Sequence, residues 1–169
     1  MDLKNQAENE ISIQDSLGGY SFISVPARLV PADFSSGYVG MTRIGVPFYD
    51  AELVYHGTPE LRPVLYRLLE IAHGFVHGCN AFMCHDGGYL SLCVTDEGGL
   101  RLANVYPAGD FVTAQYYVFF AMSELSIRTV DSVLWVLGDV SGAQKKSCAR
   151  YFGKVKVLKD ENNRRKTKR

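Results

Sequence analysis

The sequence predicts an α/β protein whose mixed sheets carry helices on their faces, in two related halves. Three observations predict it. Residues 81–105 alternate apolar strands with glycine turns, residues 110–158 alternate apolar helical and strand runs, and one strand-and-turn pattern occurs twice in the same order.

The elements follow in chain order. Ile11 and Ile13, then Gly18-Gly19, then Tyr20, Phe22 and Ile23 predict a hairpin, because paired glycines supply the positive φ that a tight turn needs. Between residues 26 and 47, Pro26, Pro31, Pro47, Gly37, Gly40 and Gly45 interrupt any long element. That stretch reads as loop with one short strand over 39–44. Leu53-Val54-Tyr55 is a compact strand stopping at Gly57. Thr58-Pro59-Glu60 has the cap, first-turn proline and early acid of a helix start, and Leu61, Leu65, Leu68, Leu69 and Ala72 follow at helical spacing. The helix is expected to close at His73-Gly74, with the glycine left-handed.

The second block reads as three strands joined by Asp86-Gly87-Gly88 and by the turn from Asp96 to Gly99. Residues 110–125 hold no breaker, and Ala114, Tyr117, Val118, Ala121 and Leu125 share a face, which predicts a largely buried helix. Tyr116, Tyr117, Phe119 and Phe120 are expected in its core contacts, and Glu124 toward solvent. Val133 to Leu137 has the run of a central parallel strand. A helix from Ser141 to Phe152, closed by Gly153, leads to a last strand over 155–158. A meander followed by crossovers makes a mixed sheet.

Composition bounds the function. The chain has 169 residues, 47% hydrophobic and 21% charged, the balance of a folded domain or of two small lobes sharing a cleft. Its 18 basic and 18 acidic residues cancel, so net charge alone steers it toward neither nucleic acid nor an anionic membrane. Both ends are polar: the first ten residues are mildly acidic, and 159–169, KDENNRRKTKR, is a basic tail without an aromatic residue. The first residues carry no basic segment leading into an apolar run, and no stretch approaches the roughly 20 apolar residues of a membrane span. Cys79, Cys84, Cys93 and Cys148 form no CxxC pair. The expectation is a cytoplasmic chain with reduced cysteines and no membrane partner.

Gly18-Gly19-Tyr20-Ser21-Phe22-Ile23-Ser24-Val25 is similar to Gly87-Gly88-Tyr89-Leu90-Ser91-Leu92-Cys93-Val94. Leu53-Val54-Tyr55-His56-Gly57 is likewise similar to Leu134-Trp135-Val136-Leu137-Gly138, each followed by a helix. The two matches predict a duplication in which the first half lost a helix. The organisation expected is a tail over 1–10, an abbreviated first half over 11–76, a complete second half over 77–158 and the basic tail over 159–169.

This repeated unit resembles the superfamily of actin, the acetate and sugar kinases and the heat-shock chaperones, whose halves are ribonuclease H-like. More narrowly, 87–106, GGYLSLCVTDEGGLRLANVY, and 110–140 resemble an uncharacterised bacterial family with an actin-like ATPase fold. The resemblance implies that each half offers a hairpin whose backbone holds phosphates, with an aspartate on the magnesium ion or its water, because phosphoryl transfer rests on positioning and charge neutralisation. Carried onto this sequence, the nucleotide-binding candidates are Asp15, Gly18, Gly19, Asp86, Gly87, Gly88, Gly138 and Asp139, and the implied ligand is ATP with magnesium.

The pattern departs from the superfamily in three places. Cys84 stands where the second aspartate is expected, and a thiol is a poor ligand for a hard cation. Asp86 replaces a glycine. Asp139 and Val140 carry side chains where the nucleotide would approach. Two like charges ~4 Å apart cost roughly 4 kcal/mol at an effective dielectric of about 20, so Asp86 either repels a triphosphate or recruits a cation for it.

Other constellations have weaker anchors. His73, His77, Cys79, Cys84 and His85 crowd one stretch, but Cys84 falls within a predicted strand whose neighbours alternate faces, and no metal is expected. Neither a G-x-S-x-G elbow nor a phosphate-binding G-x4-G-K-[ST] loop occurs. The sequence therefore favours a non-catalytic actin-like protein working through an unidentified protein partner, with no confident catalytic residue and at most weak nucleotide binding between its halves. An active magnesium-dependent ATPase or kinase, and an RNA-associated accessory protein using the basic tail, are the alternatives.

Overall fold

A computed structural model describes residues 22–26, 41–56 and 62–158. Its described residues form two sheets. The smaller is antiparallel in the order β1-β3-β2, from β1 (Phe22–Pro26), β2 (Met41–Val46) and β3 (Ala51–His56). The larger has the order β6-β5-β4-β7-β8, from β4 (Cys79–Asp86), β5 (Tyr89–Asp96), β6 (Gly99–Pro107), β7 (Ser132–Leu137) and β8 (Lys154–Leu158). Its first three strands form an antiparallel meander, while β7 and β8 add in parallel.

Helix α1 (Val64–His73) joins the two sheets, α2 (Phe111–Glu124) connects β6 to β7, and α3 (Gly142–Cys148) connects β7 to β8. The last two crossovers advance in the same direction across the sheet, so one handedness places both helices on the same face. The packing agrees. Ala81, Met83, Leu90, Leu92, Leu134 and Val136 bury against Ala114, Val118 and Met122 of α2 and Cys148 of α3. On the other face Phe82, Cys93, Trp135 and Leu137 share a core with Leu65, Leu68 and Leu69 of α1 and Leu53 and Tyr55 of β3. Residues two apart thus fall on the same face and neighbours on opposite faces, the period of a strand buried on both sides.

Trp135 and Phe82 stack with centroids 6.0 Å apart, and Phe75 tilts against Trp135 at 4.3 Å. The indole N–H of Trp135 donates to Asn80 Oδ1 at 2.9 Å. Asn80, only 4% exposed, donates its own amide to the carbonyls of His77 and Gly78. A buried polar group needs such partners, and this one has three.

The predicted meander, the β3 and β7 strands and the Ser141 cap are observed, and Asp110 caps α2. Asp110 accepts from the Thr113 N–H at 2.7 Å. Ser141 and Gln144 form a reciprocal capping box. Several expectations need correction. Helix α1 begins at Val64 after Pro63, not at Pro59, because Pro63 inside a helix would lack its N–H and clash with the preceding turn. Gly74 closes it at φ −72°, right-handed rather than left-handed. Helix α3 ends at Cys148, short of Phe152, and residues 149–151 continue as turn. Helix α2 is not largely buried: Val112, Tyr116 and Phe120 are exposed. Of the predicted first hairpin, 11–13 and 18–21 lie outside the described residues, and β1 pairs with β3.

Candidate functional site

Strands β4 and β7 run parallel and in register from Cys79 beside Ser132 to Met83 beside Val136. The turn after β4 and the corner after β7 therefore open at the same end of the sheet. Strand β6 is parallel to β4, since each is antiparallel to β5, so 107–110 emerge at this end as well. In open α/β sheets the carboxyl ends of the strands, where chain direction across the sheet reverses, are the usual ligand crevice. The structure thus brings Asp86, Gly87, Gly88, Gly138 and Asp139 to one end of the sheet. Asp15, Gly18 and Gly19 lie outside the described residues.

Local bonding ties these loops together. The Ala108 N–H donates to Gly88 O at 2.8 Å, and His85 Nε2 lies 2.8 Å from Ala108 O. The His85 ring meets Phe111 edge to face, joining β4 to the first turn of α2. Asp110, which caps α2, is the third carboxylate here, one the sequence reading did not assign to the site. The Thr113 N–H, then smaller contributions including nearby His85, hold its carboxyl below the usual carboxylate range.

The site's chemistry is set by what surrounds the three carboxylates. Asp86, Asp110 and Asp139 are all exposed, and no Lys or Arg occurs in 85–89, 107–111 or 137–142. Among the described residues no three His, Cys, Asp or Glu side chains are grouped to hold a metal ion. Gly87, Gly88 and Gly138 take φ of 58°, 82° and 98°, values that turns demand, yet a Cβ built on any of them meets nothing within 4 Å. Their backbone needs glycine, but no neighbouring wall approaches them. Ser141, the hydroxyl nearest the corner, is bound to the Gln144 N–H. These described loops therefore offer a magnesium-bound triphosphate neither a Lys nor an Arg.

Cys84 is half-buried and packs against the core shared with α1. Burial pushes the thiols of Cys79, Cys93 and Cys148 up, Cys148 to about 11, so these sulfurs stay protonated at neutral pH and are poor nucleophiles. Glu124 is exposed, as expected. The aromatic residues of α2 divide differently from the prediction. Phe119 meets Phe152 and Tyr151, and Tyr117 stacks on Tyr106, whereas Tyr116 and Phe120 stack on each other in solvent. An open groove of about 400 Å³ lies beside them, at the opposite end of the sheet from the carboxylates, lined by Phe119, Met122, Ile127 and Val130.

This fold superposes on a solved structure from Bacteroides thetaiotaomicron. That protein is described as having an actin-like ATPase fold and unknown function. The present chain has an α/β architecture of this actin-like kind. The two superpose with a TM-score of 0.64 at 13% identity, over 81% of this chain and 64% of the other. The likeness is one of fold. No family model matches the sequence, and no curated protein matches it. Among the described residues no helix is long and apolar enough to cross a membrane.

Proposed function

We propose that this chain is a non-catalytic, actin-like protein that works by binding a protein partner rather than by turning over nucleotide. The observation that supports this reading is the set of three exposed carboxylates at the end of the sheet where a triphosphate would sit, with no Lys or Arg in 85–89, 107–111 or 137–142 and no metal-holding group among the described residues. Phosphoryl transfer needs positive charge around its phosphates, and these three loops carry no Lys or Arg to supply it.

The partner surface we assign is the outer side of α2. Val112, Tyr116 and Phe120 are 75%, 61% and 46% exposed and lie one helical turn apart. The groove beside Phe119 and Val130 continues that apolar stripe. A stripe at this spacing next to a groove suits an amphipathic helix of the partner. The ribonuclease H-like description of the second block, and descent from a duplicated unit, are part of the same proposal; the order β6-β5-β4-β7-β8 supports the first.

A thermal melt of the full chain with and without saturating ATP and magnesium tests the non-catalytic reading. Ligand at 100 times its Kd would stabilise the fold by about 2.7 kcal/mol, a shift of several degrees. The reading predicts no shift beyond about 1 °C, and a shift of several degrees would favour the active ATPase or kinase instead.

A further inference from the structure

Charge in this neutral chain is strongly segregated. Residues 140–169 hold eleven Lys and Arg against two Asp and Glu, whereas residues 1–139 hold seven against sixteen. The basic excess is not confined to the last eleven residues. Lys145 and Lys146 on α3, Arg150 after it, and Lys154 and Lys156 on β8 belong to the folded body, and no acid occurs between 140 and 158.

Strand β8 is the edge of the large sheet, and α3 is the helix leading into it. The cations therefore gather along one edge of the sheet, Lys145, Lys146 and Arg150 on the side of α3 and Lys154 and Lys156 on the opposite face of β8. Lys145, Lys146, Arg150 and Lys154 are exposed, and none is paired with a carboxylate among the described residues. Lys156 is held differently, its Nζ 4.4 Å from the centre of the Trp135 ring. Two of these residues have a local explanation, because Lys145 and Lys146 near the end of α3 complement the helix dipole. Arg150 and Lys154 lie outside the helix and have none.

Within this cluster sits one exposed aromatic ring. Tyr151 is 51% exposed and is braced edge to face by Phe119 at 4.9 Å. A braced ring between unpaired cations is the combination that binds single-stranded nucleic acid, where phosphates take the charges and a base stacks on the ring. Duplex readers instead insert a helix or ribbon into the major groove. Here α3 has only seven residues and buries Cys148 against the sheet.

We infer that the α3–β8 edge, with Tyr151 as its stacking platform, binds single-stranded RNA or DNA without regard to sequence. This surface is distinct from the carboxylate end, and it adjoins the groove beside α2 at Phe119. Four solvent-facing cations engaging four phosphates give a slope of log affinity on log salt of about −3, since a single strand contributes about 0.7 per phosphate.

The experiment is fluorescence anisotropy of a labelled 20-nucleotide oligouridylate with the full chain, across a series of salt concentrations. Binding with a slope near −3 is expected. The combined Lys145→Glu, Lys146→Glu and Arg150→Glu variant should bind at least about tenfold more weakly, with a shallower slope. Should that variant not fold, Lys145→Gln with Lys146→Gln should weaken binding in the same direction. Tyr151→Leu, which keeps an apolar contact for Phe119, should lose about tenfold with the slope unchanged. The inference is overturned by absence of binding at low salt, by unchanged affinity in the charge variants, or by tighter binding to a 20-base-pair duplex. Tighter binding to vesicles of one part phosphatidylglycerol to three of phosphatidylcholine would overturn it equally.

Discussion

Strands β4 and β7 carry polar groups at both ends, and the two ends treat them in opposite ways. Near the start of β4, Asn80 is buried and makes three hydrogen bonds, one of them to the Trp135 indole across the strand pair. At the finish, Asp86 and Asp139 are exposed beyond the residues that pair β4 with β7, and Asp110 caps a helix. The first arrangement is fixed from several directions and locks the sheet. The second is held only by turns, so nothing presses its carboxylates into the converging geometry that a metal or a phosphate requires. In this fold the carboxyl end of the strands is the place for a ligand, yet the well-organised polar group is at the other end.

Substitutions can sharpen or break this contrast. The largest effect is expected for Phe82→Ala, which removes the ring stacked on Trp135 and leaves a cavity; the loss should be about 3–5 kcal/mol in urea denaturation. Asn80→Ala leaves a buried indole N–H without its acceptor and should cost about 1–3 kcal/mol. Asn80→Asp keeps an acceptor for the indole but sets a buried carboxylate oxygen against the carbonyls of His77 and Gly78, so it should recover none of that loss. Gly153→Ala should cost about 1–3 kcal/mol as well, because its Cβ would stand 2.3 Å from Val130 O, where only backbone can give way.

The open end should respond weakly. Asp86→Asn combined with Asp139→Asn should change stability by no more than about 0.5 kcal/mol, since neither side chain is buried. A loss as large as that of Asn80→Ala would show that these carboxylates are held by something the contrast omits. The smallest effect belongs to Asp110. Its carboxyl is more acidic folded than unfolded, so its contribution is fully present above about pH 3.9 and disappears as pH falls through the lower folded value. Melts of wild type and Asp110→Asn should therefore differ at pH 6 and converge as the pH drops below that range.

Much of this architecture was legible in the sequence. Glycine turns at 87–88 and 98–99 divided the meander correctly, and the alternation of Phe82 with Met83 and of Trp135 with Val136 carries both faces of the sheet. Helix α1 starts later than expected because Pro63 decides the boundary, while Thr58-Pro59-Glu60 lie outside the described residues. The orientation of α2 was not legible, since a helix apolar on nearly every side has no polar stripe to mark the solvent face. Tyr116 and Phe120 were accordingly assigned to the core, and the structure exposes them.

At the candidate site, the shared location of Asp86 and Asp139 followed from parallel-strand logic. The openness around their glycines did not, because sequence spacing carries no information about what stands opposite a turn. The basic edge was visible only as a tail. Its continuation onto α3 and β8 emerged once those two elements were seen to adjoin.

Isothermal titration of the full chain with ATP and magnesium, read together with phosphate release, tests the central claim most directly. The account predicts no saturable heat below about 1 mM, weaker than −4.1 kcal/mol of binding, and no release above the protein-free rate. Binding in the micromolar range accompanied by slow phosphate release would contradict it.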